Sequence, residues 1–166
     1  EVQEEVLWLS EAAHVPVIAV APPVDGGDPL QTTVVATDFS PASWEAAVAA
    51  VRAIPPNGQL YVVHVLREGA TEPGVCEAAR ARVTAWSAPL AALLPSGTTL
   101  AMTVLSGDPY TALATYLPRV HATCIAVGGH RPRYNTVAVA GRTVPERLLT
   151  TWRGSIVFGP YRESAE

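Results

Sequence analysis

From Thr32 onward, short apolar runs alternate with stretches whose apolar residues recur at helical spacing. Thr32 to Thr37, Gln59 to Leu66, Thr98 to Leu105, Cys124 to Val127 and Gly154 to Gly159 are the runs, and each predicts a strand, that of Thr32 buried and that of Cys124 buried on both faces. Between them lie helical patterns. Ser40 and Pro41 form an N-cap and N1 pair for a helix to about Ala53, apolar at Ala46, Ala47, Ala50 and Val51. Residues 72 to 94 predict a long helix, with interruptions expected near Gly74 and Pro89. Asp108 caps a helix to about Leu117, and residues 144 to 152 predict the last helix. The order β-α-β-α-β-α-β-α-β predicts right-handed crossovers and a five-stranded parallel doubly wound α/β sheet, order 3-2-1-4-5, with helices on both faces.

Ahead of this alternation stands an extra N-terminal helix over residues 4 to 13, with Val6, Leu7 and Leu9 as its apolar part. A strand from His14 to Ala21 follows, with Pro16 restricted to its start or to an edge. The Pro- and Gly-rich stretch from Pro22 to Pro29 reads as a linker. The chain divides accordingly into a helix-strand tail (1–22), a linker (23–31) and an α/β domain (32–166).

Candidate chemistry gathers between Cys124 and Arg147. Gly128-Gly129 ends a strand, and glycine there lets the backbone turn sharply or approach a ligand closely. A polar loop follows, with His130, Arg131, Arg133, Tyr134 and Asn135. After Gly141, Thr143 is an N-cap, Pro145 lies in the first turn and Glu146 completes a capping box. Strand, glycine turn, loop and helix N-terminus outline an anion site. They also describe an ordinary turn and an ordinary capped helix, since the Gly-Lys-Ser/Thr element of a Walker loop is absent. Ligands of doubly wound sheets bind at the carboxyl ends of strands, beside the switch in strand order. Thr37-Asp38 and Gly128-Gly129 are the polar strand ends expected there. Asp38 reads equally as a ribose or metal ligand and as an Asx turn opening the next helix. His64, inside a strand, reads as a structural histidine.

Composition narrows this further. The chain has 166 residues, 49% hydrophobic and 16% charged, so it predicts a globular domain with a proper core. A formal charge of −4 argues against a nucleic-acid surface. All 11 basic residues are arginine, which excludes Schiff-base or P-loop lysine chemistry. Cys76 and Cys124 suggest neither a disulfide framework nor zinc, and Cys124 reads as an inert core thiol. No apolar run reaches ~18 residues, so no membrane span is expected; no leader pattern is read either. The start at Glu1, without Met, reads as a fragment or a processed product.

The motifs TVVATDFS, QLYVVHVL, Gly107-Asp108-Pro109 and IAVGGH…AGRTVPERLLTTWRGSIVFGP together resemble the universal stress protein family, over residues 32 to 160. The first and last motifs are fairly specific and the middle two are weak. The resemblance implies a cytoplasmic stress or dormancy role and, in some members, ATP bound through a Gly-x-x-Gly-x9-Gly-Ser/Thr pattern. Carried over, Gly128 and Gly141 are the first and third glycines, with Val127 beside the first. Arg131 stands at the second glycine, Arg142 takes the Ser/Thr place, and Thr143 follows one step later. Asp38 matches the family aspartate, with Ala36 and Thr37 beside it, and Val65 matches the residue facing the adenine. The arginines either cradle phosphate with side chains or fill the site.

The resemblance therefore implies an adenine-nucleotide-binding domain for ATP or ADP, with or without Mg, and without efficient catalysis. The rival is a domain of the same fold that binds no nucleotide and acts through protein contacts. An adenylate-forming enzyme is disfavoured because the Ser-Gly-Gly-x-Asp-Ser loop is missing after Thr32–Thr37. EEVLWLSEAAHVPVIAVAPP echoes PERLLTTWRGSIVFGPY, as if residues 1 to 22 were the tail of a preceding copy in a tandem. Family members dimerise through their last strands. Val15–Ala21 is accordingly expected to pair antiparallel with Ser155–Phe158, in the same chain or by exchange with a second copy.

Overall fold

The computed structural model describes residues 5, 6, 9, 12, 14–23, 25–67, 69, 70, 72–129 and 143–160. The strands are β1 (Val17–Ala19), β2 (Thr32–Ala36), β3 (Gln59–Leu66), β4 (Thr99–Ser106), β5 (Cys124–Gly128) and β6 (Ser155–Gly159). The helices are α1 (Pro41–Ala53), α2 (Pro73–Ala91), α3 (Pro109–Arg119) and α4 (Val144–Thr151). Glu5, Val6, Leu9 and Ala12 of the expected N-terminal helix are helical.

Side chains alternate across the central strands and divide the core in two. Val35, Val62, Cys124, Ala126 and Val157 face α1 and α2, against Ala46, Ala50, Val51, Val83 and Leu90. Val34, Val63, Ile125, Val127, Ile156 and Phe158 face α3 and α4, against Leu113, Leu117, Leu148 and Leu149. Each fully buried Leu, Ile or Phe contributes roughly 1.5–3 kcal/mol. This two-sided burial explains why β2 and β5 are apolar without alternation. Cys124 is fully buried, and burial pushes its thiol up to about 12 against a weaker opposing hydrogen bond from Thr33. It is a core residue, as expected.

The expected sheet needs correction. It has six strands rather than five and is mixed rather than wholly parallel, in the order β1-β6-β5-β2-β3-β4. β2 to β6 run parallel. Counted from Thr32 alone they stand 3-2-1-4-5; the sixth strand is β1, which takes the place beside the last strand that was expected of Val15–Ala21. It pairs antiparallel with β6 in the same chain, Val17 with Phe158, Ile18 with Val157 and Ala19 with Ile156. The strand is shorter than His14–Ala21. His14 has φ 50, off the extended path, and the N–H of Ala21 already bonds the Ser155 hydroxyl at 3.0 Å.

The expected interruptions of α2 are also absent. Pro73 is its first residue and Gly74 lies in its first turn. Pro89 lies in the last turn, and the helix runs through it to Ala91.

Candidate functional site

The site is built where β2 and β5 diverge. The N–H of Thr37 bonds the Val63 carbonyl at 2.8 Å, extending the β2–β3 ladder by one residue. The chain then turns sharply. Phe39 adopts φ 64, a conformation a bulky side chain rarely takes. Its N–H donates to Thr37 Oγ1 at 2.9 Å, and the N–H of Ser40 donates to Asp38 Oδ1 at 3.0 Å. Ser40 Oγ caps α1 by accepting the Ser43 N–H. The Asx turn expected at Asp38 is therefore present. Burial raises the Asp38 carboxyl, but the Ser40 hydroxyl and N–H and the Ser43 hydroxyl together outweigh it and hold it below the usual carboxylate range.

Packing fixes the turn from outside. The Phe39 ring lies 4.5 Å from the His64 ring, 4.1 Å beneath the Arg82 guanidinium and 6.2 Å edge-on from Trp86. Such contacts each stabilise by about 0.5–1.5 kcal/mol, comparable with the ~1–3 kcal/mol cost of the strained backbone.

Beside this turn a cavity of about 540 Å3 opens at the strand ends. It brings together Ala36, Thr37, Asp38, Val65, Val127, Gly128 and Thr143, seven of the positions expected from the sequence. Arg131, Gly141 and Arg142 lie outside the described residues, as do His130, Arg133, Tyr134 and Asn135. The cavity adds residues that sequence reasoning missed: His64, Leu66, Arg67, Pro109, Leu113, Val144 and Pro145. The signal for His64 was its place near the end of β3, next to Val65. Pro109 and Leu113 could be found only by knowing that α3 packs across the strand ends.

Two features change the anion reading. Gly128 is needed for packing: a Cβ there would stand 2.8 Å from the Ser43 nitrogen and 3.2 Å from the Ala42 carbonyl carbon. The close approach is by the start of α1. At α4, Glu146 Oε2 accepts the Thr143 N–H at 2.7 Å, so the helix N-terminus already holds a carboxylate, and Pro145 offers no N–H. Among the described residues the apolar part of the cavity is thus better formed than its anion part. Val65, Leu66, Leu113 and Val127 suit a flat ring, and Asp38 can accept bonds from hydroxyl groups. Among the described residues no group of three or more His, Cys, Asp or Glu could hold a metal ion. No helix of the described residues is long and apolar enough to cross a membrane.

No protein-family model matches the chain, and no curated protein matches it. Solved structures share the fold. Hypothetical protein MJ0577 aligns over 82% of this chain and all of its own, with a TM-score of 0.64 and 16% identity. A universal stress protein in complex with cAMP aligns over 77% of this chain and 95% of its own, with a TM-score of 0.55 and 18% identity. A universal stress protein from Archaeoglobus fulgidus DSM 4304 aligns over 92% of this chain but 53% of its own, with a TM-score of 0.61 and 18% identity.

Proposed function

We propose that the chain is a universal stress protein domain that binds an adenine nucleotide, ATP or ADP with or without Mg, and does not turn it over efficiently. The observation that carries this reading is the cavity at the switch in strand order. It combines an apolar shelf at Val65, Leu66 and Val127 with the ionised carboxylate of Asp38. Base on the shelf and ribose at Asp38 leave the phosphates directed toward Thr143, at the start of α4. A fold neighbour was solved with cAMP, an adenine nucleotide with one phosphate, which supports the adenine-ribose part of the reading. Efficient catalysis needs a positioned general base or a metal set, and the described wall of the cavity offers the Asp38 carboxylate, committed to an Asx turn, and His64, tied through Nδ1 to the Thr37 carbonyl.

The rival reading is a domain of this fold that binds no nucleotide and works through protein contacts. It is favoured by Glu146, whose carboxylate occupies the N-terminus of α4. Calorimetry separates the two. Heat and thermal stabilisation with adenosine, cAMP and ATP are expected; no response to any of them at millimolar concentration supports the rival.

For residues 1 to 22 we propose the tail of a preceding copy in a tandem. β1 occupies the outer edge of β6, and the Archaeoglobus neighbour, aligned over 92% of this chain, is aligned over only 53% of its own length. A cytoplasmic location belongs to the same proposal.

A further inference from the structure

Among the described residues one edge of the sheet is the three-residue β1, just after Pro16, and the other is the eight-residue β4. β4 ends the strand order, with β3 on its inner side. It pairs residue for residue with β3, from Gln59 with Thr99 to Leu66 with Ser106, with no bulge. Thr99–Ser106 contains no charge and no proline, and Met102 is 43% exposed. Bulges, charges and proline are the devices that ordinarily keep an edge from pairing, and β4 has none of them.

The hydrogen-bond phase of the edge follows from its ends. Thr99 N–H bonds the Gly58 carbonyl at 3.1 Å and Gly107 N–H bonds the Leu66 carbonyl at 2.8 Å. Odd-numbered residues of β4 therefore direct N–H and C=O toward β3. Leu100, Met102, Val104 and Ser106 direct theirs outward.

We infer that β4 is a self-pairing edge, on which a second copy of this chain docks its own β4 antiparallel to form a continuous sheet across a two-fold axis. A two-fold perpendicular to the sheet pairs residues of the same face. The register with Thr103 on the axis sets Leu100 opposite the partner's Ser106, and Met102 opposite the partner's Val104. It pairs every outward N–H and C=O of the edge, whereas a centre at Met102 would leave Ser106 unpaired. On the α3 face it sets Ala101 opposite the partner's Leu105, and no like charges meet on the paired strands. A hollow of about 620 Å3 runs beside Val104 to Asp108, walled by Thr111, Thr115, Tyr116 and Arg119, so α3 does not cover this half of the edge.

The register makes a covalent test available. Thr103 facing itself is a non-hydrogen-bonded antiparallel pair, with Cα atoms about 4.5 Å apart, inside disulfide range. In a Cys76→Ser background, Thr103→Cys is expected to form a covalent dimer under oxidised glutathione that reductant reverses. Cys124 is fully buried and does not compete. Ala101→Cys places the two thiols roughly 13 Å apart and is expected to remain uncrosslinked. The unmodified chain is expected to sediment as a dimer, and Met102→Lys to weaken that dimer about tenfold or more, with far-UV circular dichroism unchanged. A monomer at all soluble concentrations, a dimer indifferent to Met102→Lys, or Ala101→Cys crosslinking as readily as Thr103→Cys would overturn the inference.

Discussion

His64 Nδ1 stands 2.8 Å from the carbonyl oxygen of Thr37. A carbonyl only accepts, so Nδ1 carries the proton, and in the neutral ring Nε2 is left as the acceptor. The bond ties β3 to the turn that presents Asp38, while the same ring packs tilted against Phe39. His64→Phe keeps an aromatic ring against Phe39 and removes the bond. A loss of about 1 kcal/mol in urea unfolding is expected, since one neutral hydrogen bond contributes about that. Calorimetry on the same variant should show adenosine and ATP weakened together, because the loosened turn carries Asp38.

Asp38 sets an acid limit. Its carboxyl is held below its ordinary value in the folded chain, so the folded state binds the proton less readily than the unfolded one. The stability this contributes is complete above about pH 4 and is lost as pH falls through the lowered folded value. Asp38→Asn retains an acceptor for the Ser40 N–H without the titration. Denaturant curves from about pH 5 to pH 2 should therefore converge for the two proteins as pH falls. A gap that widens on acidification would contradict the assignment.

Glu146 should oppose phosphate. Its carboxylate sits at the N-terminus of α4, where the helix dipole would otherwise favour a ligand anion. Glu146→Gln keeps the acceptor for the Thr143 N–H and removes the charge. ATP is expected to bind more tightly to this variant, by roughly 0.3–1 kcal/mol, with adenosine unchanged. Equal effects on both ligands would place the phosphates elsewhere.

Gly128→Ala tests a different origin for the glycine. The added Cβ would meet backbone of Ser43 and Ala42, which cannot swing away like a side chain. Overpacking of this kind costs about 1–3 kcal/mol. Chemical denaturation without any ligand should show that loss. A variant as stable as the parent would return Gly128 to a ligand-facing role.

The alternation of runs made most of the fold readable, because strands buried on both faces cannot hide their apolar character. Asp38 and Gly128 were readable as strand ends beside a switch in strand order, and Val65 only through the resemblance of its motif. What sequence could not give was the reason for each residue. Gly128 looked like a phosphate turn, yet its missing Cβ makes room for α1, a helix that starts more than eighty residues earlier in the chain. Glu146 read correctly as a cap, but a cap and an anion site compete for one place, and only the 2.7 Å bond shows which occupies it. Leu113 and Pro109 join the cavity through helix packing, which leaves no local signature.

β1 should act as an edge guard. β6 is apolar and buried throughout, and β1 supplies the outer ladder that would otherwise face solvent. The Ser155 hydroxyl adds a further tie to the Ala21 N–H. Two cores lie on the main body of the sheet and, among the described residues of 1–24, only Val6 packs against them, so a chain lacking residues 1–24 should still fold. It would then expose the five-residue β6 as an edge in place of the three-residue β1, alongside β4. A molecule with one self-pairing edge stops at a dimer, whereas one with two can extend into chains. Sedimentation velocity should show the truncated protein moving from the parent's size to a broad distribution that grows with concentration. Restoring residues 1–24 as a separate peptide should reverse the growth, since the peptide re-covers β6. A truncated chain of unchanged size would mean that β1 decorates the edge without guarding it.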